Sequence, residues 1–259
     1  LAFRDRVVQH ALISVIEPIL SKSFIFDTYA CQTGKGTHAG LRRLHKFIHN
    51  ANPEWYFLKA DVTKFFPSVC REVLKNKIRK RIKCKDTLWL IDLIIDSSVA
   101  GLPIGNLTSQ LFANYYLSDL DHFIKERLQE KLYLRYMDDF IIINSSLDRL
   151  KRDWYYIEHE LKKIGLLLNR KTTIAKIKSG VDFLGYRSWP NVTKLRKKNI
   201  RRNKRKFRKL GKRLQSGFTN ASIIARSVAS FNGYTKYAAC EKSRNCILDG
   251  IGNATKIKV

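Results

Sequence analysis

Apolar and polar positions alternate along this chain with two distinct periods. In residues 3–20, FRDRVVQHALISVIEPIL, apolar side chains at Val7, Val8, Ala11, Leu12, Val15 and Ile16 recur at helical spacing, and Pro18 with the following SKSF is expected to close the helix. A glycine loop from Gly34 to Gly36 feeds a second helix starting near Thr37. WYFLKA, residues 55–60, predicts a short apolar strand ending at Asp61. REVLKNKIRKRI and TLWLIDLIIDS predict two helices, and the Gly/Pro turn GLPIGNLTSQ leads into the amphipathic helix LFANYYLSDLDHFIKERL, with Thr108 or Ser109 as its cap. KLYLRYMDDFIII, residues 131–143, sets apolar runs on both sides of two aspartates and predicts a hairpin. A helix over 147–164 follows, then LLLNRKT and GVDFLGYRSW as two short strands. Helices mixed with a hairpin-containing sheet indicate an α+β core.

The pattern changes near Asn191. Lys194–Arg213 holds thirteen basic residues and no acid, yet Ile200, Phe207, Leu210 and Leu214 keep helical spacing, which predicts a cationic amphipathic helix in a small helical second domain. The whole chain of 259 residues carries 50 Lys and Arg against 22 Asp and Glu, a net charge of +28, which calls for a polyanionic partner such as a nucleic acid. No apolar run approaches membrane-spanning length, so no membrane partner is expected. Five scattered cysteines without a CxxC pair, and no secretory signal, predict a reduced, cytoplasmic protein. The opening LAFRDRVVQH lacks a methionine, as expected of a segment from a longer protein.

The chemistry concentrates in three carboxylates. Two adjacent aspartates repel each other, and burying them is costly unless a cation holds them. Asp61, Asp138 and Asp139 each lie at the end of an apolar strand, so strand pairing can bring all three to one sheet edge. Such a site suits Mg²⁺, and two ions about 3.5–4 Å apart activate an attacking hydroxyl and stabilise a leaving oxygen. A plain hairpin turn also explains paired aspartates, but not the equally apolar setting of Asp61. His45 and His49 have the spacing of a metal pair without a third ligand, and Cys240 and Cys246 lack zinc spacing.

YMDD at 136–139, LKADVTKFFPSV at 58–69 and GLPIGNLTSQLFANYYLSDLDHF at 101–123 resemble the palm motifs of reverse transcriptases. LLLNRKT, FLGY, RDRVVQHAL, YACQTGKGTHAGL and SFNGYTKYAA resemble further family segments, in order, so the likeness covers nearly the whole chain. IGNLTSQ, with Ile104 where most relatives have glutamine, is most similar to the bacterial reverse transcriptases of diversity-generating retroelements.

This resemblance implies a right-hand polymerase: fingers from 1–52, a palm on an antiparallel sheet over 53–190 with interleaved fingers helices, and a basic helical thumb over 191–259. It implies catalytic Asp61, Asp138 and Asp139 at two Mg²⁺ (or Mn²⁺), with Asp61 and Asp138 as the principal metal ligands, Asp139 beside them and the Val62 carbonyl completing one shell. Phe65, Phe66, Ile104, Gly105 and Lys171 would meet the incoming dNTP, Phe66 as a steric gate against the ribose 2′-OH and Lys171 at the leaving pyrophosphate. Phe183, Leu184, Gly185 and Tyr186 would form a primer grip. Lys197, Lys198, Arg201, Arg202, Arg205 and Lys209 would hold the nucleic-acid backbone, while Phe231 and Tyr234 pack the thumb. Implied partners are an RNA template and primer, the RNA–DNA hybrid, dNTPs, a retroelement template RNA and an oligomeric helical accessory protein, in a bacterial or phage-encoded system. That family copies template adenines with frequent errors, and an isoleucine at 104, offering shape without a hydrogen bond, is expected to contribute. Similar enzymes also carry a fingers hairpin upstream of RDRVVQ that holds the triphosphate. Reverse transcriptases of group II introns, retrons or phage defence are the alternatives, as is a catalytically silent RNA-binding relative.

Overall fold

Apolar strands that need cover on both faces organise the first part of the chain. In this computed structural model, which describes residues 2–255 and side chains as far as Ile251, β1 (Tyr56–Asp61), β2 (Leu132–Tyr136), β3 (Asp139–Asn144) and β4 (Thr173–Lys176) form one antiparallel sheet in the order β2-β3-β1-β4. The four consecutive residues Phe140–Ile143 of β3 are all buried, as expected of a central strand covered on both sides. Phe140 and Ile142 join one continuous core that includes Leu12, Ile16, Phe112, Leu150, Ile157 and Leu161.

The helices of this unit are α1 (Phe3–Leu20), α2 (Thr37–His49), the single turn α3 (Phe65–Ser68), α4 (Arg71–Arg79), α5 (Lys85–Asp96), α6 (Leu107–Tyr116), α7 (Ser118–His122) and α8 (Leu147–Lys163). Three sequence expectations are corrected here. Helix α1 has the expected bounds, but it buries Gln9, Leu12, Ile13, Ile16 and Leu20, while Val7, Val8 and Val15 face outward. The long helix expected after the Gly/Pro turn starts at Leu107 behind Asn106, breaks at Leu117 and ends in a π-helical turn over Phe123–Arg127. Thr108 and Ser109 are buried in its first turns instead of capping it.

LLLNRKT is not a strand. Leu168 makes one isolated bridge to Val62, residues 170 and 171 turn, and β4 begins only at Thr173. GVDFLGYRSW is likewise not one strand but a hairpin, β5 (Val181–Phe183) and β6 (Tyr186–Trp189), joined by β7 (Val192–Leu195) in a separate three-stranded sheet.

The chain divides into two compact units: residues up to Phe47 with Glu54–Lys176, and Ile48–Pro53 with the chain from Ile177 onward. The small sheet thus shares a unit with the helices after it, earlier than the compositional shift at Asn191. In that second unit α9 (Lys197–Gln215), α10 (Ala221–Thr235) and α11 (Glu241–Thr255) bury Phe207, Phe231 and Ile247 among themselves, with Ile200, Leu210 and Tyr234 packed around them. The expected amphipathic stripe of the basic helix is therefore its core face. Phe231 and Tyr234 pack this small core, as expected.

Candidate active site

Register delivers the carboxylates. Asp61, last residue of β1, stands opposite Asp139, first residue of β3, and Asp139 also pairs with Tyr136 across the two-residue turn Met137–Asp138. Met137 holds a left-handed φ of 58°, a conformation disfavoured for a residue with a side chain and suited to a tight hairpin turn. Asp138, at the tip, is hydrogen-bonded to Asp61. Burial, with the Asp61 charge added, pushes the Asp138 carboxyl up to about 6. Asp139 is drawn instead toward Lys59, 4.0 Å away on the same face of the sheet.

The loop that follows α8 closes the other side of Asp61. Its Asn169 N–H donates to the Asp61 carbonyl at 2.7 Å, and its side-chain amide donates to Asp61 Oδ2 at 3.2 Å. The same side chain accepts the Lys171 N–H at 3.0 Å. Thr63 N–H donates to the Leu167 carbonyl, so Val62 and Leu168 form a pair without direct bonds. Val62's own carbonyl is thereby turned to the opposite edge of the strand, where β3 and the hairpin tip lie.

This donor set fits a divalent cation of the Mg²⁺ kind, which takes one or two carboxylates and completes its shell with water and substrate phosphates. Asp61, Asp138 and the Val62 carbonyl supply such a set, and a cation would offset the burial and the Asp61 charge that raise the Asp138 carboxyl. Among the described residues, no group of three or more His, Cys, Asp or Glu side chains is gathered to hold a metal ion, His45 and His49 included. The structure thus brings Asp61 and Asp138 together and sets Asp139 toward Lys59.

Behind the tip lies a buried network that sequence reasoning missed. Arg135 and Asp121 are both fully buried, joined by Nε–Oδ1 at 2.7 Å and Nη2–Oδ2 at 2.5 Å. The same guanidinium donates to the Met137 carbonyl at 2.7 Å and to Asn114 Oδ1 at 3.2 Å. Tyr133 and Thr28 hydroxyls complete the Asp121 carboxylate. The signal was in plain view: a charged residue in the middle of the apolar strand LYLRY has to be paired.

Five residues after Asp61, α3 separates the two phenylalanines. Phe65 is buried in the core and unavailable to a nucleotide, whereas Phe66 keeps an accessible edge, its ring 5.6 Å from Phe65's. The turn 101–105 is fixed to this helix: Leu102 N–H donates to the Phe66 carbonyl at 2.9 Å, and a Cβ on Gly101 would lie 2.0 Å from that oxygen. Beyond this anchor Ile104 stands 77% exposed beside Gly105. Lys171 is exposed, two residues beyond Asn169.

The remaining candidates lie in the second unit. Leu184 and Gly185 both have positive φ, the signature of a two-residue hairpin turn, while Phe183 and Tyr186 beneath them are fully buried. Only the tip, Leu184–Gly185, is presented, tied to the helices by Asn199 and Tyr234, which both donate to the Gly185 carbonyl. Lys197, Lys198, Arg201, Arg202, Arg205 and Lys209 are all exposed on α9, opposite Phe207. Cys240 is buried and Cys246 exposed, both as free thiols.

An antiparallel sheet whose one end presents an aspartate pair is the palm of a right-hand polymerase, and the fold is of that class. The solved structure of apo telomerase from Candida tropicalis superposes with a TM-score of 0.59 at 18% identity, over 96% of this chain and 50% of that one. The family model described as Reverse transcriptase (RNA-dependent DNA polymerase) matches residues 1–188, and the chain belongs to that family. Among curated relatives, Protein YkfC of Escherichia coli (strain K12) is 24% identical over 72% of this chain. The Retron Ec73 reverse transcriptase of Escherichia coli is 32% identical over 46% of it. The chain spans 61% and 42% of the lengths of these two relatives.

Proposed function

We propose that this chain is the polymerising part of an RNA-directed DNA polymerase that joins a primer 3′-hydroxyl to the α-phosphate of a dNTP on an RNA template. The observation that carries this reading is the meeting of Asp61 and Asp138 at the sheet's end, with the Asp138 carboxyl raised to about 6 by burial and by its neighbour. Asp61, Asp138 and the Val62 carbonyl would hold two Mg²⁺ (or Mn²⁺), with Asp139 beside them, and those ions supply Lewis-acid activation of the hydroxyl and charge neutralisation at the leaving oxygen. The protein's own residues position and exclude. Asn169 fixes the Asp61 carboxylate, Arg135 holds the hairpin tip through the Met137 carbonyl, and the Phe66 edge sits where a ribose 2′-OH would collide. Lys171 serves the triphosphate as a mobile cation, Leu184–Gly185 the primer end, and the exposed row on α9 the duplex backbone. In this reading residues 1–52, 53–190 and 191–259 act as fingers, palm and thumb.

The finer reading is an error-prone reverse transcriptase of a diversity-generating retroelement, working on its template RNA with an oligomeric accessory protein. Its support is Ile104, exposed on a turn anchored to the Phe66 helix, where it can offer a template base only shape. A retron or group II intron type is the second reading, favoured by the likeness to the Retron Ec73 enzyme and to the Group II intron-encoded protein LtrA of Lactococcus lactis subsp. cremoris. Primer extension on RNA with Mg²⁺ and dNTPs tests the reaction: wild type makes DNA and Asp138→Ala does not, and equal synthesis by both overturns the site. Error spectra of wild type and Ile104→Gln on one template test the subtype, with fewer adenine errors expected in the variant.

A further inference from the structure

A cavity of about 550 Å³ opens within the second unit, where β6 and β7 meet the start of α9. Lys197 and Lys198, the first cations of the exposed α9 row, also line it, and the rest of its lining differs from that row. Trp189 has one edge laid against Gly180, where a Cβ would come within 2.5 Å of the indole. Arg187 and Lys194 stand over the same indole, 5.4 and 5.9 Å from its centre. Arg196, the residue before α9, uses Nε to bond Asp182 at 2.9 Å, but its Nη2 is buried without a hydrogen-bond partner among the described residues. Lys197 and Lys198 take the helix's first two positions, where their backbone N–H groups have no intrahelical acceptor, while the Asn199 and Ile200 N–H groups already donate to the Arg196 carbonyl. The one thiol in the lining, Cys240, is pushed up by burial and is no nucleophile.

An indole for a base, a buried guanidinium N–H and helix N–H groups for a phosphate, and a cavity of this size together match one nucleotide of an unpaired strand. We propose that this cavity is a single-strand subsite that holds one nucleotide, its base on Trp189 and its phosphate between Arg196 and the first turn of α9. Asp182 holds Arg196 by its Nε, leaving Nη2 as the free donor. The proposal rests on the reading that this chain binds nucleic acid, and adds a place where an unpaired strand is gripped apart from the α9 row.

Binding of a fluorescein-labelled single-stranded oligothymidylate, followed by anisotropy on the full chain, tests it. Trp189→Ala is expected to weaken binding roughly 5- to 150-fold, the range for loss of one base–aromatic stack, and Trp189→Phe to stay within a few-fold of wild type. Arg196→Ala is expected to reduce the salt slope of log K by about 0.7, one phosphate contact on a single strand. Unlabelled oligothymidylate should quench wild-type tryptophan emission more than that of Trp189→Phe. Arg205→Ala, on the α9 row, separates the two ideas. If it weakens binding while Trp189→Ala and Arg196→Ala do not, the subsite is wrong and the basic-helix reading stands. If none of the three weakens binding, both fall. Equal quenching by thymidine monophosphate at the same concentration would overturn the strand assignment in favour of a free-nucleotide pocket.

Discussion

Removing one partner of the Arg135–Asp121 pair should loosen the hairpin that carries Asp138, because that hairpin is held from behind by a single guanidinium. Arg135→Met deletes five hydrogen bonds: two to Asp121, two to Asn114 and one to the Met137 carbonyl. It also strands a carboxylate that is fully buried. Charge-assisted bonds contribute about 1.5–3 kcal/mol each, but desolvation of the guanidinium offsets much of that sum. Breaking a buried pair by removing one side costs about 3–5 kcal/mol, and we take that as the expected loss. At about 2–4 °C per kcal/mol for a chain of this size, the melting temperature should fall by roughly 6–20 °C. Asp121→Leu should cost a similar amount, since it leaves Arg135 buried and uncompensated. The double variant should be far less destabilised than the sum of the singles, with about 1–3 kcal/mol lost for the polar groups of Asn114, Tyr133 and Met137 left behind. Thermal and urea melts of the four proteins close the cycle. Additive single effects would refute the pairing argument. A folded double variant that extends primers as fast as wild type would refute the claim that the guanidinium positions the tip.

Three further outcomes follow from other parts of the site. Folded Asp138 keeps its proton to about pH 6 whereas an ordinary aspartate loses it near 3.8, so the native state binds more protons in that window and stability falls as pH rises through it. After discounting for solvent screening, melts in EDTA should show Asp138 contributing about 1–2 kcal/mol of that fall, absent in Asp138→Asn; equal pH slopes would sink the assignment. Gly101→Ala, whose Cβ would press on the Phe66 carbonyl from a φ of 57°, should cost about 3 kcal/mol or more in urea melts, and a loss within 0.5 kcal/mol, about the error of such comparisons, would show that the turn is not anchored there. Phe66→Ala should raise the ratio of ribonucleotide to deoxyribonucleotide incorporation by about tenfold or more in single-nucleotide extension, and an unchanged ratio would remove Phe66 as the gate.

What was legible in the sequence was whatever followed from local period and strand ends. WYFLKAD and KLYLRYMDDFIII each state a strand and where it stops, so the meeting of Asp61 with the aspartate pair needed only antiparallel pairing. Which of two adjacent carboxylates reaches Asp61 did not follow from period or spacing and came only from the family resemblance, because it depends on a turn in which Met137 takes a left-handed conformation and lifts Asp138 to the tip. The apolar residues of α1 offered two overlapping faces, and only packing chose Leu12, Ile13, Ile16 and Leu20 over Val7, Val8 and Val15. LLLNRKT failed as a strand for a chemical reason. Asp61 at a strand end needs its carbonyl and carboxylate bonded, and the chain bends there so that Asn169 can do both.

Arg135 shows what a period-based reading passes over. A lone cation inside LYLRY violates the apolar pattern as plainly as two aspartates at a turn, and both violations belong to one device. The Met137 carbonyl at a strained turn needs a donor on the buried side, and the donor brought there is a charge that must itself be paired with Asp121, fourteen residues earlier. That second pairing anchors the tip to α7 and, through Asn114, to α6, so the position of Asp138 is set by two helices as well as by the sheet. Spacing gives no hint of this arrangement. The cost of burying an unpaired guanidinium does, because it forces an acidic partner into the core directly behind the turn.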